Sequence, residues 1–443
     1  MKEAPGQVTL TSLSVSEALD NMLSYFSPLP AVEVPLMDAL GSVLAEEVRS
    51  DMDNPPFDNS SMDGYAIRAK DTVGAGDTNP VNLRVTGHMP AGAFPQPGDR
   101  VEPGTAYRIM TGAPVPPGAD AVIRFEDTSE GRALDNARLL PQDARAQASV
   151  VGEDVLLYKS VKPGDSIRRA GEDMREGDLV LSPGITIRPA EIGVLASVGK
   201  ARVLVHRRPR VVVLATGDEL VEVDQTPGPG QIRNTNNYAI AAQLQSWGAV
   251  PINLGVARDS REHLEAKLHE ALAMEPDLII SSAGVSVGDH DFVKDVLLSM
   301  GRAQMWRVRV RPGKPLLFGR LGEREVPLLG LPGNPVSSMV TMELFGRPAI
   351  MKMLGKSRLH RPTVTTRALE AMDYGSGREH YVRGVVSREG GEYVCRPTGG
   401  QGSNLLTSMS RANALLIIPE SVSRVEPGDT VKALMLDWPE EVF

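Results

Sequence analysis

The chain has 443 residues, 41% hydrophobic and 23% charged, which is apolar enough for packed cores and, at roughly 150 residues per domain, long enough for about three. With 47 Lys and Arg against 56 Asp and Glu the formal net charge is −9, which argues against a general nucleic-acid or anionic-membrane binder. The lone cysteine, Cys395, excludes an intrachain disulfide and a cysteine-built zinc site, and 43 Gly with 34 Pro, lacking a collagen period, imply many turns and short strands.

The opening Met1–Gly6 starts no apolar signal segment, and no aliphatic run approaches the ~20 residues of a membrane span. A soluble, cytoplasmic protein is expected. Residues 14–27 begin with Ser and carry apolar residues at helical spacing, predicting an amphipathic helix, and a second helix is expected over about 35–49. From Asn54 to about 170, short β-like runs alternate with Pro and Gly turns and read as an all-β insertion, with the polar stretch 128–148 as a loop. A short helix is expected at Pro189–Ala196.

From 209 strands and helices alternate. Arg210–Ala215 is a continuous β-branched run, as in a strand buried on both faces. Further strands are expected at 250–254, 277–282, 303–310, 315–319 and 326–330, with helices at 236–247, 259–274, 291–300 and after Pro335, the second capped by Asp259 and Glu262. The alternation implies a doubly wound parallel sheet. Beyond 360 short strands return, as in a small β-barrel or sandwich, and Cys395 reads as packing.

Three loops follow strands of the predicted sheet, at Thr216–Leu220, Ser281–Asp289 and Leu331–Ser337. One alone reads as a tight strand-to-helix turn; three on one edge favour a phosphate-type ligand, because Gly lets backbone N–H groups approach an anion. Gly284-Val-Ser-Val-Gly288 also matches the nucleophile elbow of an α/β-hydrolase, a rival weakened by the acidic Asp289 and Asp291 beside it. In Trp306–Pro315 the residues Arg307, Arg309 and Arg311 would share one strand face, either as a charged edge or as an oxyanion site.

Phe57–Ala66, Arg108–Pro114, Thr216–Leu220, Gly284–Asp289, Arg311–Pro315, Leu331–Ser337 and Gln401–Ser403 together resemble the signature set of the molybdopterin molybdenumtransferases, the MoeA and gephyrin E-domain family. The resemblance covers essentially the whole chain. It implies an N-terminal mixed domain from 1–53 and 172–207, a β insertion over 54–171, an α/β molybdopterin-binding domain over 208–357 and a C-terminal β-barrel over 358–443. It implies that molybdate is inserted into adenylylated molybdopterin, with the pyrophosphate cleaved, AMP released and a divalent metal, Mg2+, assisting. Asp63, Thr111, Asp173, Glu219, Asp259 and Asp291 match catalytic positions, with Glu219, Asp259 and Asp291 as metal ligands. Thr216, Gly217, Asp218, Ser282, Gly284, Ser286, Gly288, Lys314, Pro332, Gly333, Asn334 and Ser337 would bind the pterin and its phosphates; Arg307, Arg311, Arg383 and Ser403 would bind molybdate. A homodimer with a composite site is implied, as are contacts with the adenylyltransferase and with cofactor acceptors. A non-catalytic scaffold or a tungstate-handling paralogue of the same fold stands as the alternative. The family usually has Ser-Gly-Gly where this chain has Ser282-Ala283-Gly284, so Ala283 is expected to hold a conformation that tolerates a Cβ.

Overall fold

The computed structural model describes residues 11–138, 154–283, 292–375 and 377–438. They form two compact units, one drawn from 1–46, 183–192 and 201–443, the other from 47–182 and 193–200.

The first unit holds a seven-stranded sheet. It opens with β1 (Thr11–Leu13) and helix α1 (Val15–Leu23). Ser14 caps α1 by accepting from the Glu17 N–H, and Glu17 reaches back to the Ser14 N–H, a reciprocal capping box. The sheet continues with β2 (Arg210–Thr216), helix α2 (Asn236–Ser246), β3 (Val250–Ala257), helix α3 (Arg261–Ala273), β4 (Leu278–Ser282), helix α4 (Phe292–Met300) and β5 (Gly301–Val308). The two-residue β6 (Val310–Arg311) leaves the sheet, which resumes with β7 (Pro315–Leu321), β8 (Val326–Leu331), helix α5 (Pro335–Thr341) and helix α6 (Arg347–Met353). The strand order is β1-β5-β7-β8-β4-β2-β3. Strands β8, β4, β2 and β3 are mutually parallel, while β7 runs antiparallel to both β8 and β5. Alternate residues of β2 explain the two-sided cover. Val211 and Val213 pack with Ile240 and Leu244 of α2, whereas Val212 and Leu214 pack with Leu264 and Leu268 of α3. Each such buried side chain contributes about 1.5–3 kcal/mol through removal of apolar surface from water.

The unit ends in a barrel. Strands β9 (Thr363–Ala368), β10 (Glu379–Glu389), β11 (Glu392–Pro397), β12 (Ala414–Ile418) and β13 (Thr430–Met435) pair in the order β10-β11-β9-β13-β12, and β12 closes back on β10. Closure leaves no free sheet edge between these five. β6 adds to the barrel in parallel with β10. Cys395 is buried in the barrel core among Val386, Val431 and Met435, and burial raises its thiol pKa, as suits a packing residue.

In the second unit a five-stranded sheet runs in the order Ala121–Arg124, Gly64–Ile67, Thr105–Ile109, Val81–Met89, Asp154–Leu157. Tyr65, Ile67, Ile123 and Leu157 fill the core on one face; Ala66, Tyr107, Ile109 and Val122 fill that on the other. No helix among the described residues is long and apolar enough to cross a membrane.

Four local expectations differ from the structure. The helix expected over 35–49 is a single 3-10 turn at Leu36–Ala39, and Val48–Arg49 is a strand. Part of the expected polar loop is a helix, Ser129–Arg138, anchored where a Cβ on Gly131 would lie 2.2 Å from the Phe125 carbonyl. Helix α3 is capped by Ser260, whose side chain accepts from the His263 N–H, so Asp259 is free of capping. The three arginines do not share one strand face, because β5 stops at Val308 and Arg309 turns to pair with Glu420 at 3.1 Å and Glu17 at 3.9 Å.

Candidate active site

In the first unit the carboxyl ends of β8, β4, β2 and β3 lie side by side, which brings the loops after residues 331, 282, 216 and 257 to one edge, the usual ligand edge of a parallel sheet. Thr216 is buried at the end of β2. Gly217 has φ +146°, and a Cβ there would lie 2.4 Å from a Glu219 carboxylate oxygen, so the absence of a side chain lets that carboxylate fold back over the loop. Asp218 and Asp259 bridge two neighbouring loops reciprocally: the Asp218 N–H donates to Asp259 Oδ2 at 3.4 Å and the Asp259 N–H to Asp218 Oδ1 at 3.3 Å. Three carboxylates thus gather at this edge.

The next two loops are held by a residue that sequence reasoning missed. Asn236, at the start of α2, donates from Nδ2 to Ser282 Oγ at 2.7 Å and to the Gly333 carbonyl at 2.8 Å. Its only sequence signal was the cluster of amides in Asn234-Thr-Asn-Asn237, which read simply as a helix start. Pro332 accepts from Ser338 Oγ, and Ser337, expected to meet ligand, is 4% exposed. Asn334 caps α5 with its side chain free of any cap bond. Gly284, Ser286, Gly288 and Asp291 lie outside the described residues.

Ala283, expected to hold a conformation that tolerates a Cβ, does so at a cost. Its φ is +73°, the left-handed region that favours Gly. A Cβ on Gly333 would sit 3.3 Å from the Ala283 methyl. Ala283→Gly is expected to change stability by less than about 1 kcal/mol, because relief of strain opposes greater unfolded-state freedom. Gly333→Ala should cost more in the parent than in Ala283→Gly. Urea midpoints of the four proteins in this cycle test the coupling, expected at about 0.5 kcal/mol or more; strictly additive values would contradict it.

The basic residues approach through the barrel. Arg307 and Arg311 are exposed, as is Lys314, whose carbonyl accepts from the Val308 N–H. The turn before Lys314 needs Gly313, with φ +108°, since a Cβ there would lie 2.6 Å from Thr341 Oγ1 of α5. Arg383 is 1% exposed. Its guanidinium donates to Ser408 Oγ and to the Gly402 carbonyl, each at 3.0 Å, and its N–H donates to Gln401 Oε1 at 2.9 Å. It therefore holds the Gln401–Ser403 turn from beneath. The Ser403 carbonyl in turn accepts from the Val336 N–H at 3.1 Å, which ties that turn to the start of α5. Burial, then the charges of Arg311 and Arg378, lower the His380 pKa, so the ring is neutral at pH 7.

The second unit displays its own cluster. Asp63 Oδ1 accepts from the Thr111 N–H at 2.7 Å and from Thr111 Oγ1 at 2.9 Å. The backbone bond first, then the hydroxyl bond and the Arg108 charge, hold the Asp63 carboxyl below the usual carboxylate range. It stays ionised through neutral pH, and the bonds weaken only as pH falls through that lowered value. Asp63 is aimed by Gly64: a Cβ on Gly64 would lie 2.0 Å from the Ile123 carbonyl. Asp173 accepts from Asn54 Nδ2 at 3.1 Å, and Asp58 accepts from the Ala170 N–H at 2.9 Å, joining the 54–63 loop to 169–174.

Comparison with known proteins agrees with this architecture. Residues 13–199 match the MoeA N-terminal region (domain I and II), 212–352 a "probable molybdopterin binding domain", and 365–436 the MoeA C-terminal region (domain IV). A crystal structure of the molybdopterin biosynthesis MoeA protein from Pyrococcus horikoshii superposes with a TM-score of 0.77 at 29% identity, covering 96% of this chain and all of that one. The chain thus has the MoeA fold, a molybdopterin-binding type of α/β domain flanked by N- and C-terminal domains. Molybdopterin molybdenumtransferase 1 of Mycobacterium tuberculosis is 34% identical over 430 residues, 93% of this chain and 95% of that protein. Molybdopterin molybdenumtransferase of Nostoc is 36% identical over 407 residues, 91% of this chain and 88% of that protein. The chain belongs to the molybdopterin molybdenumtransferases, a family of transferases.

Proposed function

We propose that this protein, a transferase of molybdenum cofactor biosynthesis, inserts molybdate into adenylylated molybdopterin and releases AMP. The observation that carries the reading is the single edge at which four parallel strands deliver Thr216–Glu219, Asp259, Ser282 and Gly333. Phosphates would lie against the backbone N–H groups of these loops, which Asn236 holds in place. Arg307 and Arg311 supply forked, permanent charge for a tetrahedral dianion, and Arg383 holds the turn that carries Ser403. Water adds to one phosphorus of the pyrophosphate as the bridging P–O bond breaks and AMP leaves with the other; the two dithiolene sulfurs then bind molybdenum, and one oxide of molybdate departs with their two protons as water.

The donors at the edge fit Mg2+. They are hard carboxylate oxygens, and this ion is commonly held by one or two carboxylates together with substrate phosphates rather than by a complete protein cage. That suits Glu219 and Asp259, with Asp218 beside them and Asp291 as a further candidate; among the described residues no group of three such side chains forms a ready-made cage. Bound there, Mg2+ would neutralise charge on the pyrophosphate. Asp63, kept ionised by Thr111, would position or deprotonate the water, and Asp173 would support the same loop.

We further propose the four-domain division given above, a cytoplasmic homodimer whose site draws Asp63 and Thr111 from one protomer and the α/β edge from the other, and transient contact with the adenylyltransferase and cofactor acceptors. The test supplies adenylylated molybdopterin, Mg2+ and either molybdate or tungstate. AMP release that depends on both the metal and an oxyanion is expected; no release with either oxyanion would overturn the reading.

A further inference from the structure

We infer that the first unit carries a second anion site, sharing no residue with the candidate active site, and that it takes a small phosphate monoester. The site is an open pocket of about 330 Å³ lined by Ile185, Arg188 and Glu191 from one stretch of chain and by Lys356, Ser357 and Arg358 from another. That volume falls within the range of small-molecule pockets and far exceeds the need of a bare oxyanion.

The pocket exists because two glycines let its walls approach. Gly184, with φ +86°, passes so close to the turn after α6 that a Cβ would lie 3.2 Å from the Gly355 carbonyl. Gly355, with φ +75°, lies against the His206 ring, where a Cβ would come within 2.3 Å. Space therefore excludes a side chain at Gly355, while one at Gly184 would crowd the Gly355 carbonyl and strain the backbone.

The charge at the pocket is unbalanced. Glu191 is the one acid in the lining, and Arg188 already answers it with Nε at 3.0 Å and a terminal nitrogen at 2.6 Å. Those bonds hold the Glu191 pKa down to about 2, so it stays a carboxylate. Lys356 and Arg358 have no carboxylate within ion-pair distance among the described residues. Behind them the imbalance deepens. Arg347 adds a third cation, and the acid near it, Glu343, is engaged by both Nε and a terminal nitrogen of Arg361 at 2.8 and 3.0 Å. Burial, then the Arg347 charge, makes the Lys356 ammonium costly, which lowers its pKa. Arg347 Nε is itself buried and without a partner.

A dianion answers this arrangement. A phosphate monoester presents three oxygens to the ammonium of Lys356, the fork of Arg358 and the hydroxyl of Ser357. Its organic part would rest on Ile185 and the aliphatic stem of Lys356.

Isothermal titration of the full-length protein with inorganic phosphate and with glycerol 3-phosphate, at constant ionic strength, tests the assignment. Wild type should bind glycerol 3-phosphate at least several-fold more tightly than inorganic phosphate. Lys356→Met and the exposed Arg358→Ala should each weaken it tenfold or more, while Arg311→Ala leaves it unchanged. Absence of binding, equal affinity for the two probes, or loss of binding in Arg311→Ala but not at Lys356 and Arg358 would each overturn the proposal. Unaltered far-ultraviolet circular dichroism in Arg358→Ala keeps the result readable if Lys356→Met does not fold.

Discussion

Arg311→Ala is expected to raise the molybdate concentration needed for half-maximal turnover by roughly 10- to 100-fold. The figure follows from losing one charge-assisted hydrogen bond, worth about 1.5–3 kcal/mol, at tenfold per 1.4 kcal/mol. Arg311 is exposed on β6, the strand that joins the barrel, and no acid among the described residues pairs with it, whereas Arg309 between the two candidates is held by Glu420 and Glu17. Arg309→Ala should therefore affect molybdate dependence far less. Arg311→Lys should recover part of the loss, because the charge returns while the fork does not. Equal molybdate dependence in wild type and Arg311→Ala would remove the residue from the site.

Glu343→Gln is expected to cost about 3–5 kcal/mol of stability, a large share of the roughly 5–15 kcal/mol that holds a typical domain together. Glu343 is 7% exposed and bonded to Arg361 through both carboxylate oxygens, and Arg361 also donates to the Leu436 carbonyl at 2.7 Å. Glutamine keeps the shape but leaves Arg361 and the half-buried Arg347 without a counter-charge. The cost is a desolvated, unpaired charge rather than a cavity, so Glu343→Gln should be nearly as harmful as Glu343→Ala. Urea midpoints decide the point; a loss under about 1 kcal/mol would show that the pair is not what stabilises this corner.

Much of the fold was legible because its signals are local. The continuous run Val211–Ala215 read as a strand covered on both faces, and Ser14 ahead of helically spaced apolar residues announced a helix. The edge loops were legible because Gly and Ser at strand ends serve few other purposes. What was not legible depends on partners far along the chain. Arg309 looked like a member of a basic stripe, but Glu420, 111 residues away, takes it out. Asn236 gave no sign that it would join Ser282 to Gly333, 46 and 97 residues away. Ala283 sits at φ +73°, a conformation its own side chain disfavours and so one that residue type does not signal. The helix Ser129–Arg138 was hidden by polar composition, since so few of its residues announce an apolar face.

The central claim is that this chain couples cleavage of the adenylyl link to capture of molybdenum. A single-turnover measurement with enzyme in excess, following AMP released and molybdenum held by the pterin together, tests it most directly. One AMP per molybdenum incorporated, with neither appearing in Asp63→Ala, is the expected result. AMP released without molybdenum incorporation, or no AMP from the wild-type protein, would contradict it.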